Sequence, residues 1–135
     1  MWSFGLLQSL CLRGKVFSGE GEGTKFIKLQ WVKNQIKEKL GFTPYPGTLN
    51  IRLSQDNVKL KKGLTDAKGI EIWPTAGFRR GKLLKAYLMG NVECAVVVPE
   101  VAGYPEDIIE IIAPTNLREK LHLADGDIVD FKIMI

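Results

Sequence analysis

"DIIEIIAPTNLREKLHLADGDIVDFKIMI", Asp107 to Ile135, is the stretch whose reading decides the fold. At its end Val129, Phe131, Ile133 and Ile135 alternate with polar residues such as Asp130 and Lys132. Successive side chains of an extended chain point to opposite faces, so this pattern predicts a half-buried strand. Before it, "ADGD" predicts a tight turn. "PTNLREKLHL" predicts a short helix opened by Pro114, with Thr115 as candidate N-cap. Ile108 to Ile112 predicts a further strand.

The same alternation recurs upstream. Leu10 to Phe17 reads as a strand, broken by the glycines from Gly19 to Gly23, and Thr24 to Leu29 reads as a second one. Trp31 to Leu40 carries Val32, Ile36 and Leu40 at helical spacing, with Gly41 placed as a C-cap. "TPYPG" is a rigid turn, and "TLNIRL" a strand with Leu49, Ile51 and Leu53 on one face. Ser54 to Gly69 is polar and lysine-rich and reads as a loop with a short strand. Ile70–Trp73, Leu83–Leu88 and Val92–Val98 complete the strands. Many short strands with two helices between them point to a mainly β, small closed barrel rather than a βαβ sheet. A single domain over 1–135 is expected at this length.

Composition narrows the class. The chain is 45% hydrophobic and 25% charged, with a formal net charge of +4, an isoelectric point near 9.1 and a mean hydropathy of -0.01. This mild basicity suits an anionic ligand such as a nucleotide. The lysines and arginines are scattered, so nucleic acid is not the expected partner. No stretch is apolar for long enough to span a membrane. The opening "MWSFGLLQSLCLRGK" has no basic region ahead of its apolar residues, and reads as a first strand rather than a secretory signal. Cys11 and Cys94 form no metal or disulfide pattern and are expected to be buried thiols in a cytoplasmic protein. His122, the sole histidine, has no nucleophile motif nearby and reads as a surface or helix-end residue.

Three features could carry chemistry. "SGEGEGTKF", Ser18 to Phe26, places Gly19, Gly21 and Gly23 at every second position. Such a run lets amides converge on an anion, and it also suits a plain hairpin. It is neither a Walker A loop nor a dinucleotide fingerprint. In "GFTPYPGTLNIRL", Thr48 and Asn50 share one strand face, where their hard oxygens suit Mg²⁺ or merely turn hydrogen bonds. Glu110 sits among isoleucines, and a buried carboxylate needs a partner or ligand unless it lies on a solvent face. Arg118 could serve an anion together with its helix's amides, or pair with Glu119 or Asp125.

Taken together, "GEGEG", "LGFTPYPGTLNIRL", "CAVVVPE" and "DIIEIIAPTNLREKLHLADGDIV" resemble the archaeal CTP-dependent riboflavin kinases, from about Gly14 to Phe131. The resemblance implies a six-stranded β-barrel of the cradle-loop type. It implies transfer of the γ-phosphoryl group of CTP to the ribityl 5′-hydroxyl of riboflavin, giving FMN and CDP. By position, Gly19, Glu20, Gly21, Glu22, Gly23 and Thr24 would hold the nucleotide, together with Thr115, Asn116, Leu117, Arg118 and Glu119. Thr48 and Asn50 would bind Mg²⁺, and Glu110 would contact the flavin; the logic of phosphoryl transfer then makes Glu110 the candidate to orient or deprotonate the hydroxyl. The glutamates of the glycine loop are expected to point away from the phosphates. A monomer is expected. One departure stands out: Ala102 and Gly103 occupy the positions of the family's threonine and histidine, and that threonine is a flavin contact.

Two other readings compete. The tail "LREKLHLADGDIVDF" also resembles the helix-turn-strand unit of swapped-hairpin DNA-binding regulators, which leaves "PYPGTLN" and the glycine loop unexplained. A barrel that binds flavin or nucleotide without activity is the other.

Overall fold

The computed structural model describes residues 9–19, 22–64, 67, 69–72, 81–99 and 103–135. Seven strands follow one another among the described residues: β1 (Ser9–Phe17), β2 (Leu49–Leu53), β3 (Ile70–Ile72), β4 (Gly81–Leu88), β5 (Val92–Pro99), β6 (Ile108–Ile112) and β7 (Ile128–Met134). Four α-helices lie among the described residues: α1 (Glu22–Ile27), α2 (Gln30–Leu40), α3 (Gln55–Lys61) and α4 (Leu117–Leu121).

All pairings are antiparallel, in the order β3-β4-β5-β6-β2-β1-β7, and β7 returns to β4 through Ala86–Ile133, Tyr87–Lys132 and Leu88–Phe131. Six strands therefore close into a barrel, as the alternation implied. β3 is the seventh: it takes the other half of the same β4 edge, with Ile70 opposite Leu83 and Ile72 opposite Gly81. Closure leaves no long unpaired edge along the six strands.

Inward-facing residues fill the barrel. Val16, Ile51, Leu88, Val96, Ile111, Val129 and Ile133 are all at most 1% exposed. Full burial of each such side chain stabilises by roughly 1.5–3 kcal/mol. A second core lies outside the barrel wall, where α1 and α2 cover the outer face of β3 to β6. Ile27, Val32 and Ile36 from the helices pack there against Leu83, Ala95, Val97 and Ile112. This explains two unlike sequence patterns. "CAVVV" in β5 is continuously apolar because both faces are covered, whereas β7 alternates because its outer face meets solvent.

Several expectations need correction. Thr24 to Leu29 is not a strand: α1 occupies Glu22–Ile27. Both edges of β1 are taken, by β2 and by β7, so the segment after it has no strand partner on β1. Among its described residues, Ser54 to Gly69 holds α3 and a 3-10 turn at Lys62–Leu64 where a loop with a short strand was expected. The Ser54 side chain caps α3 by accepting from the Asn57 amide, and Val58 packs on the barrel core. The expected count of two helices is thus too low. Asn116, not Thr115, is the N-cap of α4, its Oδ1 accepting from the Glu119 amide. Cys94 is buried, but Cys11 is exposed because it shares the outward parity of Arg13 and Lys15. Ile135 lies past the end of β7 and is 41% exposed. Gly41 does cap α2 in the left-handed region at φ 82°, and His122 ends α4 at φ 54°. Met1–Gln8 and Trp73 lie outside the described residues.

Candidate active site

Glu110 is the centre of the site. It lies in the middle of β6, opposite Asn50 on one side and Val97 on the other, so it is no edge residue. Its side chain leaves the outer face of the barrel beneath the start of α1 and is 1% exposed. Four donors meet its carboxylate. The amides of Gly23 and Thr24 reach it at 2.7 and 3.3 Å, the Thr48 hydroxyl at 3.0 Å, and the Tyr104 phenol completes the set. The cost of burying the charge is offset by these bonds, and the first turn of α1 gains an acceptor for its open amides. An ideal Cβ on Gly23 would stand 2.7 Å from the Glu110 carboxyl carbon, so only glycine allows this approach.

Thr48 and Asn50 do share one side of β2, as the two-residue spacing implied. The Thr48 Oγ1 lies 2.8 Å from Thr24 Oγ1, 2.7 Å from Asn50 Oδ1 and 3.0 Å from Glu110 Oε1. The Asn50 amide donates to the Gly19 carbonyl at 2.6 Å, which sets its Oδ1 toward Thr48. A threonine hydroxyl has one proton. It cannot serve Asn50 and Glu110 at once, so one of those close oxygen–oxygen contacts always lacks a proton. An all-oxygen set with one negative charge and a surplus of acceptors suits a hard divalent cation such as Mg²⁺.

Beside this network lies a cavity of about 160 Å³ at the barrel end, between the Pro-rich corner and α4. Thr48, Thr115, Asn116, Leu117 and Arg118 line it, with Tyr45 forming part of the wall. The corner is tied down by the Tyr45 amide on the Ala113 carbonyl and by Asn116 Nδ2 donating to the Tyr45 hydroxyl. Arg118 pairs with Asp125 at 2.6 Å, one of the two partners its sequence position suggested.

Residues far apart in sequence thus meet in one place: Gly19, Gly23, Thr24, Thr48, Asn50 and Glu110 in one network, and 115–118 around the cavity next to it. Glu119 is at the helix surface, its amide on Asn116. Glu20, Gly21 and Ala102 lie outside the described residues, and so do the directions of the Glu20 and Glu22 side chains; Glu22 opens α1. The sequence reading missed Tyr104, Tyr45 and Ser18, and it offered Asp125 only as one of two ion-pair partners for Arg118. Only proximity to the motifs could have drawn attention to them.

A CTP-dependent riboflavin kinase family model, described as a domain of unknown function, DUF120, matches residues 16–133. The chain belongs to this family. Among its relatives, a riboflavin kinase of Pyrobaculum aerophilum is 46% identical over 136 residues, covering 96% of this chain and 63% of the relative. A riboflavin kinase of Archaeoglobus fulgidus is 39% identical over 128 residues, covering 92% and 54%. One from Ignicoccus hospitalis is 40% identical, covering 90% and 69%. The chain therefore spans somewhat over half of the length of the first two. The family match runs from the end of β1 through most of β7, and includes every described residue of the network and the cavity. No helix among the described residues of this family member is long and apolar enough to cross a membrane.

Proposed function

We propose that the protein transfers the γ-phosphoryl group of CTP to the ribityl 5′-hydroxyl of riboflavin, forming FMN and CDP. The observation that carries this reading is the junction at Thr48. This one residue belongs both to the oxygen network of Thr24, Asn50 and Glu110 and to the cavity of Thr115–Arg118. A nucleotide seated in that cavity would direct its phosphates at the network.

Phosphoryl transfer asks for alignment and charge stabilisation rather than covalent chemistry. The Gly19–Thr24 segment and Arg118 flank the phosphates, with Arg118 supplying a cation at the cavity. Mg²⁺ would be held by Thr48 and Asn50, and when bound it neutralises charge on the transferring phosphates. Glu110 holds the glycine loop, Thr48 and Tyr104 in register. Three donors and the Thr48 hydroxyl that it shares with Asn50 surround its carboxylate, so a riboflavin hydroxyl reaches it only by displacing one of them. This favours an orienting role over that of a general base. Glu110→Gln keeping full turnover at saturating riboflavin would remove the base role altogether. The Ala102–Gly103 departure leaves one flavin hydrogen bond to be made by other groups. We place the reaction in the cytoplasm and read the protein as a monomer; both cysteines being free thiols supports a reducing compartment.

The test is purified protein with riboflavin, Mg²⁺ and each of CTP, ATP, GTP and UTP, scored for FMN. FMN from CTP alone is the expected result. CDP binding without FMN from any donor would identify an inactive barrel and sink the kinase reading.

A further inference from the structure

Arg118 is held from behind. Its Nη2 donates to Asp125 Oδ1 at 2.6 Å and to Ser18 Oγ at 3.3 Å, and Ser18 donates to the same carboxylate at 2.8 and 2.9 Å. The three side chains form a closed triangle that joins the stem of the glycine loop to α4. Asp125 in turn sits on a turn tied to the end of β1 by backbone hydrogen bonds. The Gly126 amide donates to the Val16 carbonyl at 2.8 Å, the Val16 amide to the Asp127 carbonyl at 2.9 Å, and the Ala124 amide to Asp127 Oδ2 at 2.8 Å.

We infer that Asp125, with Ser18, is a positioning residue for phosphate recognition: it grips one edge of the Arg118 guanidinium so that the other edge faces the phosphates. This rests on the nucleotide position proposed above. The guanidinium is a planar fork with five N–H donors, and one nitrogen engaged by Asp125 and Ser18 leaves the rest for a second anion. Holding a long side chain in place before the ligand arrives removes an ordering cost from binding. Asp125 also repels phosphate, which would have the opposite effect. Its side chain is 57% exposed against 33% for Arg118, so solvent screens the repulsion while the alignment acts locally. Alignment wins, and the sign of the mutational effect decides between them.

The experiment is FMN formation against CTP concentration at saturating riboflavin for the wild-type chain, Asp125→Ala and Asp125→Asn. Expected is a rise in KM for CTP of about tenfold for Asp125→Ala and about threefold for Asp125→Asn, with kcat and the KM for riboflavin within about twofold. Calorimetric titration should show CDP affinity falling in parallel, while cytidine, which lacks phosphate, binds both variants as it binds the wild type. Thermal melts confirm that the variants fold. An unchanged or lowered KM for CTP, or an equal loss of cytidine affinity, overturns the inference. Should the wild type bind CDP more tightly than cytidine yet form no FMN, the kinase reading fails and the CDP titrations still decide the role of Asp125. A wild type that does not prefer CDP to cytidine overturns the inference as well.

Discussion

Glu110 shows how much one side chain can organise. A carboxylate in an isoleucine-rich strand is a liability in the sequence, and here it becomes the point where β6, β2, α1 and the Tyr104 loop meet. Gly23 is its counterpart, because any Cβ there collides with the carboxyl group at 2.7 Å. Gly23→Ala must push α1 and Glu110 apart, lengthening the amide bonds and shifting the oxygen that faces Thr48. We expect FMN formation to fall at least about tenfold and the protein to lose about 1–3 kcal/mol of stability, the usual cost of leaving buried polar groups poorly paired. Kinetics and urea denaturation check the two effects separately. The cysteines differ in the same local way. Burial pushes the Cys94 thiol up to about 12, while Cys11 is exposed on β1. Iodoacetamide should therefore alkylate only Cys11 in the native protein and both residues after denaturation, as read by mass spectrometry.

At the scale of the element, α4 is the helix on which the cavity depends, and it is only five residues long. A helix this short has little stability of its own and relies on its cap and its packing. Asn116 provides the cap to Glu119 and also reaches the Tyr45 hydroxyl at 3.2 Å, so it joins α4 to the Pro-rich corner. Asn116→Ala should cost about 1 kcal/mol, the typical loss for an N-cap. The melting temperature should drop by roughly 3–6 °C on that account. Amide exchange should accelerate in α4 and leave the strands unaffected. Exchange that speeds up across the whole barrel would show that the cap supports far more than its own helix.

For the whole molecule, β1 and β7 are neighbours in the barrel wall, and the exposed Arg13–Asp130 pair links them at 2.6 Å. The Arg13 guanidinium holds the Asp130 carboxyl below the usual carboxylate range, chiefly through its hydrogen bond. A carboxyl whose folded value is depressed contributes stability that is fully present above its unfolded value of about 4. That contribution is lost as pH falls through the lower folded value. Asp125 beside Arg118 has the same sign. Stability should therefore be flat from neutral pH down to about pH 4 in these two pairs and decline below it. Arg13→Ala should make the acid branch of a melting curve shallower, by a small and salt-sensitive amount because the pair is exposed. A steeper acid branch in the variant would contradict this account.

Alternation and turn chemistry were legible in the sequence because they are local: β1, β2 and β7, the helix ending at Gly41 and the "ADGD" turn follow from side-chain parity and from glycine's backbone freedom, while β5 and β6 show only as short apolar runs. The motif residues Thr48, Asn50, Glu110 and Arg118 were legible too, as unusual residue types in apolar or rigid settings. Which of them meet was decided by the tertiary structure. Sequence parity could not tell that both edges of β1 are occupied, a long-range pairing that turns Thr24–Ile27 into helix and sets Gly23 on Glu110. Nor could it choose Asp125 over Glu119 for Arg118 or add Ser18 to that pair, because Ser18 reaches the turn after α4 only in the folded barrel. Local rules choose the elements of this protein, and closure of the barrel assembles its site.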